Sequence, residues 1–128
     1  MENINEFIQK NSPDGGFLQS LEWRRFQEAE GHRAFNITSP QPSPYKGERE
    51  FGFWANVVEH QLPIVGKYFY VPRGPIIPNP KSEILKFLNE IINLAKKENA
   101  GWIRIEPASE EILELIKKNI KYKIIHKL

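Results

Sequence analysis

Cysteine is absent from this 128-residue sequence, and methionine occurs once. The absence of cysteine excludes disulfides, thiolate nucleophiles and metal sites with cysteine ligands. An excess of one charge is also missing, because 18 lysines and arginines stand against 16 aspartates and glutamates. The resulting net charge of +2 does not indicate a broad basic surface, so charge alone gives no support for non-specific nucleic-acid binding.

Long apolar runs are missing as well. No stretch approaches the roughly 18 apolar residues that a transmembrane helix needs. The first ten residues, MENINEFIQK, lack the basic start and the long apolar run of a signal peptide. We therefore expect a cytoplasmic protein without a transmembrane segment.

Motifs for cofactors, metals and nucleophilic catalysis are not found. The sequence contains neither a GxGxxG nor a Walker A pattern, and no nucleophile motif surrounds any serine. His32, His60 and His126 are scattered, with no carboxylate or second histidine at metal-ligand spacing. The pattern favours ordinary histidines, and we expect neither a cofactor nor a metal.

What the sequence does contain is an alternation of helical and strand patterns within a length typical of one domain. Turn residues and a 12-residue polar segment separate them. This order favours an α/β (α+β) fold with a mixed sheet, in which the second and third strands form an antiparallel pair. Helical patterns are found at 4–10, 21–30, 83–98 and 110–119, and strand patterns at 32–38, 51–63, 67–71, 101–107 and 122–128.

Three serines stand where helix N-caps are expected. Ser20, Ser82 and Ser109 each precede a helical pattern, and a serine hydroxyl can accept a hydrogen bond from a backbone N–H in the first turn. All three are predicted to act as caps.

The segment SPQPSPYKGERE, residues 39–50, holds three prolines and no aliphatic residue. We interpret it as an exposed proline-rich insertion, where a short hairpin turn would suffice, because long loops cost little additional entropy. A proline-rich peptide ligand is the less favoured alternative, since the PxxP spacing is missing.

Residues 68–78, YFYVPRGPIIP, begin as a strand and then turn sharply. Tyr68 and Tyr70 alternate with Phe69 and Val71, which places each pair on its own face. Arg73 follows Pro72 and is held in a stiff backbone, since proline fixes its own φ and restricts the residue before it. Such an arginine suits bidentate binding of a carboxylate or phosphate, whereas the alternative is a turn arginine paired with a local acid. The residues alone leave both open.

Arg104 and Glu106 share a strand face with Trp102 directly before a proline ends the strand. One interpretation is a partly exposed ion pair of little energetic weight. The other is a polar strand face that lines a ligand groove.

Three stretches taken together carry a family resemblance: GGFLQSLEWRRFQEAEG, VGKYFYVPRGPIIP and NAGWIRIEP. In this order and spacing they resemble the N-terminal part of the FemAB/FemX family, whose members transfer amino acids from aminoacyl-tRNA to the peptide of peptidoglycan precursors. The resemblance implies a GNAT-like fold, which family members contain twice, and an enzyme at the inner face of the membrane. It also implies that Arg73 and Glu106 face the lipid-linked or UDP-linked muropeptide, with Gln27 and Arg104 nearby. It assigns no catalytic residue.

The sequence departs from the family in length, because the chain stops where the first half of a family member would continue. We therefore expect residues 1–128 to form an N-terminal GNAT-like domain or part of one, which needs a C-terminal half for transfer and is inactive alone. A non-catalytic precursor-binding module and an inactive gene fragment are the alternatives. A small acyl-CoA N-acyltransferase is least favoured, because the R/QxxGxG/A pyrophosphate loop is missing.

Overall fold

The computed structural model describes residues 4–12, 16–39 and 52–120. Within these ranges the chain forms a four-stranded sheet with helices on both faces. In chain order the elements are α1 (Ile4–Asn11), a short 3₁₀ helix (Phe17–Gln19), α2 (Leu21–Ala29), β1 (Arg33–Thr38), β2 (Trp54–Leu62), β3 (Gly66–Pro72), α3 (Pro80–Lys97), β4 (Trp102–Glu106) and α4 (Glu110–Asn119).

The sheet is mixed, as the sequence predicts. Its strand order is β1-β2-β3-β4, with β1–β2 and β2–β3 antiparallel and β3–β4 parallel. The two parallel strands are joined by α3, because parallel neighbours require a crossover connection. The expected antiparallel pairing of the second and third strands is confirmed.

One face of the sheet carries the apolar core. Phe69 and Val71 of β3 are fully buried there, together with apolar side chains of β1, β2, α3 and α4. Phe53 and Phe87 meet edge to face, with ring centroids 5.7 Å apart. The helical pattern at 83–98 becomes most of α3, and the apolar side chains on one side of this helix are buried against this face.

The opposite face is only partly covered. Trp54 and Ile76 pack there against Phe7 and Ile8 of α1, and Leu21 of α2 packs against this second cluster. Tyr68 and Tyr70 lie on this face, which confirms the alternation predicted for β3. The N-terminal helices thus leave the β3–β4 half of this face half-open.

Two of the three predicted serine caps are confirmed. The hydroxyl of Ser20 accepts from Trp23 N at 3.1 Å, and that of Ser109 accepts from Ile112 N at 3.3 Å. The prediction for Ser82 is wrong, because α3 begins earlier, at Pro80. Proline is favoured in the first helical turn, where its missing N–H would have no helical partner. Ser82 lies inside that turn and donates to Asn79 O instead.

Two predicted segments lie outside the described residues: most of the insertion at 39–50 and the strand at 122–128. Ser39, the first residue of the insertion, and Gly52, which lies just after it, are described and lie close together. Gly52 N donates to Ser39 Oγ at 2.7 Å. The prediction of an insertion between β1 and β2 therefore stays a prediction.

Candidate functional site

The turn after β3 is the feature around which the candidate site is built. Pro72 ends the strand, and Arg73 follows with a left-handed φ of 52°. Gly74 N then donates to Glu106 O at 3.2 Å, which ties the turn to the last residue of β4. Residues 72–75, here called the arginine corner, thus lie where the two parallel strands end.

A buried glutamine beneath the arginine corner holds it in place. Gln19 is 0% exposed. Its Nε2 donates to Pro72 O at 2.7 Å, and its Oε1 accepts from Asn56 N at 2.7 Å. A Cβ added at Gly74 would lie 2.8 Å from the amide carbon of Gln19, so the corner needs glycine at this position. The buried amide therefore satisfies two backbone groups that would otherwise be unpaired.

Two further contacts fix the segment that carries Gln19. Trp54 Nε1 donates to Gln19 O at 3.1 Å, and Asn56 Nδ2 donates to Ser20 O at 2.9 Å. Both donors come from β2. The 3₁₀ helix, which the sequence patterns do not predict, is thereby attached to the sheet at defined polar contacts.

Beside the arginine corner, three side chains of β3 and β4 form a polar cluster. The Tyr70 hydroxyl donates to Glu106 Oε1, and Arg104 Nη2 lies 3.0 Å from Glu106 Oε2. The Arg104 guanidinium also lies over the Tyr70 ring, 5.4 Å from its centroid. Both carboxylate oxygens of Glu106 are thus engaged, and the Arg104–Glu106 ion pair, one of the two interpretations of the sequence, is present on a half-exposed face.

The surroundings of Tyr70 keep its hydroxyl protonated. Burial raises the pKa of Tyr70 to about 12, with further contributions from the hydrogen bond to Glu106 and from the Glu106 charge. At neutral pH the Tyr70 hydroxyl therefore keeps the proton that it donates to Glu106.

A row of rings extends from this cluster across the half-open face. Tyr68 stacks on Trp102, with centroids 4.9 Å apart, and on the other side stacks on His60 at 5.3 Å. The ring of His32 lies 4.6 Å from that of His60. Gln27 Oε1 and His32 Nδ1 are hydrogen-bonded at 2.8 Å. The row joins α2 to β4 across the width of the sheet.

Three of the four site residues expected from the sequence lie along this face. Gln27 is at the α2 end, and Arg104 and Glu106 are at the β4 end. Arg73 points elsewhere: it lines a cavity of about 220 Å³ whose lining includes none of the other three. That cavity lies between the arginine corner, the end of α1 and the first turns of α3 and α4.

Sequence reasoning missed the residues that connect these groups. Gln19 was not recognised, because nothing local distinguishes a glutamine that will be fully buried. Tyr70 was placed on the correct face, but its partner Glu106 lies 36 residues away. The sequence favours ordinary histidines at 32 and 60, and it gives no sign that their rings lie in one row with Tyr68.

Within residues 4–12, 16–39 and 52–120, no three histidine, aspartate or glutamate side chains are grouped as metal ligands would be. In the same ranges, no helix has the length and apolarity to cross a membrane.

A comparison with protein families shows which family contains this chain. A profile of the FemAB family matches residues 1–126. The chain belongs to the FemAB family. The three stretches that carry the resemblance are the ones that meet in space: Gln19 lies in the first, the arginine corner in the second and Glu106 in the third.

Among solved structures, the crystal structure of FemX matches with a TM-score of 0.68 at 23% sequence identity. The match covers 92% of this FemAB chain and 30% of the FemX chain. The GNAT-like fold expected from the sequence is confirmed by this likeness to part of FemX. No curated protein matches the chain at a significant level.

Proposed function

We propose that this FemAB chain supplies the side of an aminoacyltransferase that binds the peptidoglycan precursor. The full reaction is the addition of an amino acid, carried by aminoacyl-tRNA, to the peptide of that precursor. The observation that carries the proposal is the convergence of the three family stretches on the arginine corner. Two buried hydrogen bonds of Gln19 and one from Gly74 to Glu106 hold this convergence in place.

The side chains at this place suit an anionic peptide ligand. A muropeptide precursor offers carboxylates and a diphosphate, and a guanidinium binds such groups with paired hydrogen bonds. Arg104 is more than half exposed, so it can exchange part of its contact with Glu106 for a ligand anion. Glu106 offers an acceptor for peptide N–H groups, whereas the proton of the Tyr70 hydroxyl is already donated to Glu106. Arg73 would bind a second anionic group from the cavity side.

The transfer step belongs to the proposal for a longer enzyme, because the chain spans 30% of FemX. Aminoacyl transfer to an amine needs the activated ester and the acceptor to be held together, which is a proximity effect. We infer that the chain holds the acceptor and that polypeptide equivalent to the remainder of FemX holds aminoacyl-tRNA. The reaction would take place in the cytoplasm, at the membrane face where lipid-linked precursors are exposed.

A binding module without catalysis is the second candidate. It is favoured by the fact that the hydrogen bonds of the arginine corner and the Tyr70–Glu106–Arg104 cluster are all made within this chain. Binding of the precursor without transfer from charged tRNA would support this candidate, and transfer by the chain alone would contradict it.

The test is calorimetric titration of the 128-residue chain with a UDP-linked muramyl pentapeptide. We expect Arg73→Ala and Arg104→Ala each to weaken binding about tenfold or more, a loss of ~1.5–3 kcal/mol for a charge-assisted contact. Glu106→Gln keeps an acceptor for Tyr70 but removes the charge that holds Arg104, so a smaller change is expected.

Arg25→Ala is the matched control, because Arg25 is an exposed arginine of α2 that takes no part in the described cluster. Its binding should equal that of the unchanged chain. If Arg73→Ala alone has no effect, Arg73 is a turn arginine. If neither Arg73→Ala nor Arg104→Ala changes the affinity, the proposed precursor site is wrong.

A further inference from the structure

The turn between β2 and β3 is an exposed apolar projection. Residues 62–66 read LPIVG and contain no polar side chain. Ile64 is 105% exposed, Val65 65% and Leu62 40%, so Ile64 is fully open to water and the other two are open in large part. We call residues 62–66 the hairpin tip. Three adjoining aliphatic side chains that stand clear of the fold are costly in water and indicate a partner.

The backbone of the hairpin tip suits an apolar surrounding. Val65 N donates to Pro63 O at 2.8 Å, and Leu62 pairs with Gly66 at the end of the antiparallel ladder. Pro63 has no N–H to satisfy. Unpaired backbone groups are what makes irregular chain costly in lipid, and one bond within the turn together with a proline lowers the number of such groups at the hairpin tip.

A tryptophan and two lysines lie at the same end of the sheet as the hairpin tip. Trp102 starts the neighbouring strand, is 41% exposed, and follows Gly101, whose N donates to Lys67 O at 2.7 Å. Lys96 and Lys97 end α3 at the same end of the sheet. Tryptophan and lysine are favoured at the boundary between acyl chains and headgroups.

The acidic side chains at this end are mostly engaged by cations. Glu59 is buried between Lys67 at 3.3 Å and Arg33 at 3.5 Å. Glu98 lies 3.0 Å from Arg33. On the α2 side, Glu28 pairs with Arg24 at 3.7 Å and Glu30 is exposed. Among the described charges at this end, Lys96, Lys97 and Glu30 are the ones without an ion pair, which leaves an excess of positive charge.

We propose that the hairpin tip inserts into the surface of a lipid bilayer. Leu62, Ile64 and Val65 enter the outer acyl region, Trp102 lies at the headgroup level, and Lys96 and Lys97 contact lipid phosphates. A protein partner is less suited to this convex tip, because protein interfaces surround an apolar centre with polar groups that bond across the rim. The tip itself offers no such side chain.

This inference adds a membrane-binding surface to the proposed function. It rests on that function in one respect only, because a lipid-linked precursor is the reason for the protein to be at a membrane. Its test uses vesicles that contain no precursor. Failure of vesicle binding therefore leaves the precursor titration unaffected, and the reverse also holds.

The first experiment uses the absence of cysteine in the chain. Ile64→Cys is labelled with the environment-sensitive fluorophore NBD, and Leu85→Cys, an exposed aliphatic position on α3, is the matched control. Vesicles of phosphatidylcholine with phosphatidylglycerol are then added. We expect a blue-shifted, stronger emission from position 64 and an unchanged emission from position 85.

The second experiment removes the apolar side chains without a label. The double variant Ile64→Ser, Val65→Ser should lower the vesicle partition coefficient about tenfold or more in sedimentation, because two aliphatic side chains no longer leave water. Leu85→Ser should leave it unchanged, and circular dichroism verifies the fold of each variant.

Equal emission changes at positions 64 and 85 would show non-specific adsorption and overturn the proposal. No change at either position would overturn it as well and would favour a protein segment as the partner of the tip. Equal partition of the double variant and the unchanged chain would contradict it independently of the label.

Discussion

The two faces of the sheet are built on different principles. On the α3–α4 face, Phe69, Phe87 and Ile91 are fully buried, and aliphatic or aromatic side chains fill the space between sheet and helices. On the opposite face, the buried groups include the amides of Gln19 and Asn56, and beyond them lies a half-open row of rings and charges.

The two faces therefore contribute differently: one stabilises the fold, and the other positions the arginine corner. Apolar burial is non-directional, so the first face stabilises the fold without fixing any particular contact. Hydrogen bonds between buried amides and backbone have defined geometry, and leaving one partner unpaired is costly. The second face can therefore hold the arginine corner in one conformation, which is what a binding site requires.

The largest expected effect comes from the apolar face. Phe87→Ala should lower the free energy of unfolding by about 3–5 kcal/mol, because it removes a fully buried ring that packs on Phe53. Tyr68→Ala, on the half-open face, should cost less than half as much, since that ring is partly exposed and loses mainly its stacking with Trp102 and His60. Urea denaturation measures both. Equal losses would contradict the distinction between the faces.

A smaller but more specific effect is expected at the buried amide. Gln19→Leu should lower the free energy of unfolding by about 2–3 kcal/mol, because Pro72 O and Asn56 N lose their partner while the volume is kept. Gln61→Leu, at an exposed glutamine of β2, is the control and should change stability little.

The same Gln19→Leu variant also tests whether the polar face positions the binding site. If the amide positions the arginine corner, the variant should also weaken precursor binding, whereas Phe87→Ala should affect binding only through the folded fraction. A Gln19→Leu protein that binds the precursor with unchanged affinity, at a temperature where it is fully folded, would show that the corner does not depend on this contact.

The smallest effect is a pH dependence on the half-open face. The pKa of Tyr70 is raised to about 12 by burial and by Glu106, whereas the ordinary value is 10.0. Between these values the unfolded chain loses the tyrosine proton and the folded chain keeps it, so stability present below pH 10 is lost as the pH rises toward 12. Tyr70→Phe should flatten this fall.

Tyr68→Phe is the matched control, because it removes the hydroxyl of the neighbouring tyrosine on the same strand face. Thermal unfolding at a series of alkaline pH values measures the slopes. If wild-type and Tyr70→Phe proteins lose stability in parallel, the hydroxyl of Tyr70 is not held as the structure indicates.

Most of the elements could be predicted from the sequence, because their signals are local. The alternation in β3 and β4, the apolar stripe of α3 and the serine caps of α2 and α4 each lie within a few residues. The wrong prediction of a cap at Ser82 also has a local cause, because Pro80, two residues earlier, is the first residue of the helix. The 3₁₀ helix was missed, since a three-residue turn has no periodicity to detect.

The candidate site could be predicted only in part. The Arg104–Glu106 ion pair, one of the two interpretations that the sequence leaves open, is present because residues two apart on a strand share a face. The role of both residues in binding stays a prediction. Gln27 is expected from family resemblance alone and Arg73 from its proline-flanked corner as well, and the roles of both stay predictions. Gln27 lies at the end of the row of rings and Arg73 lines a cavity, and both surroundings are formed by elements far apart in the chain.

The order of helices and strands, the opposite faces of Phe69 and Tyr70, and the family can all be inferred from the residues alone. That the stretches around Gln19, Arg73 and Glu106 meet depends instead on how the sheet is assembled. Local patterns act through backbone geometry over a few residues, whereas the burial of Gln19 against Pro72, 53 residues away, exists only once the sheet has formed. The hairpin tip is the converse case, because an apolar sequence that local rules would bury is left outside by the packing.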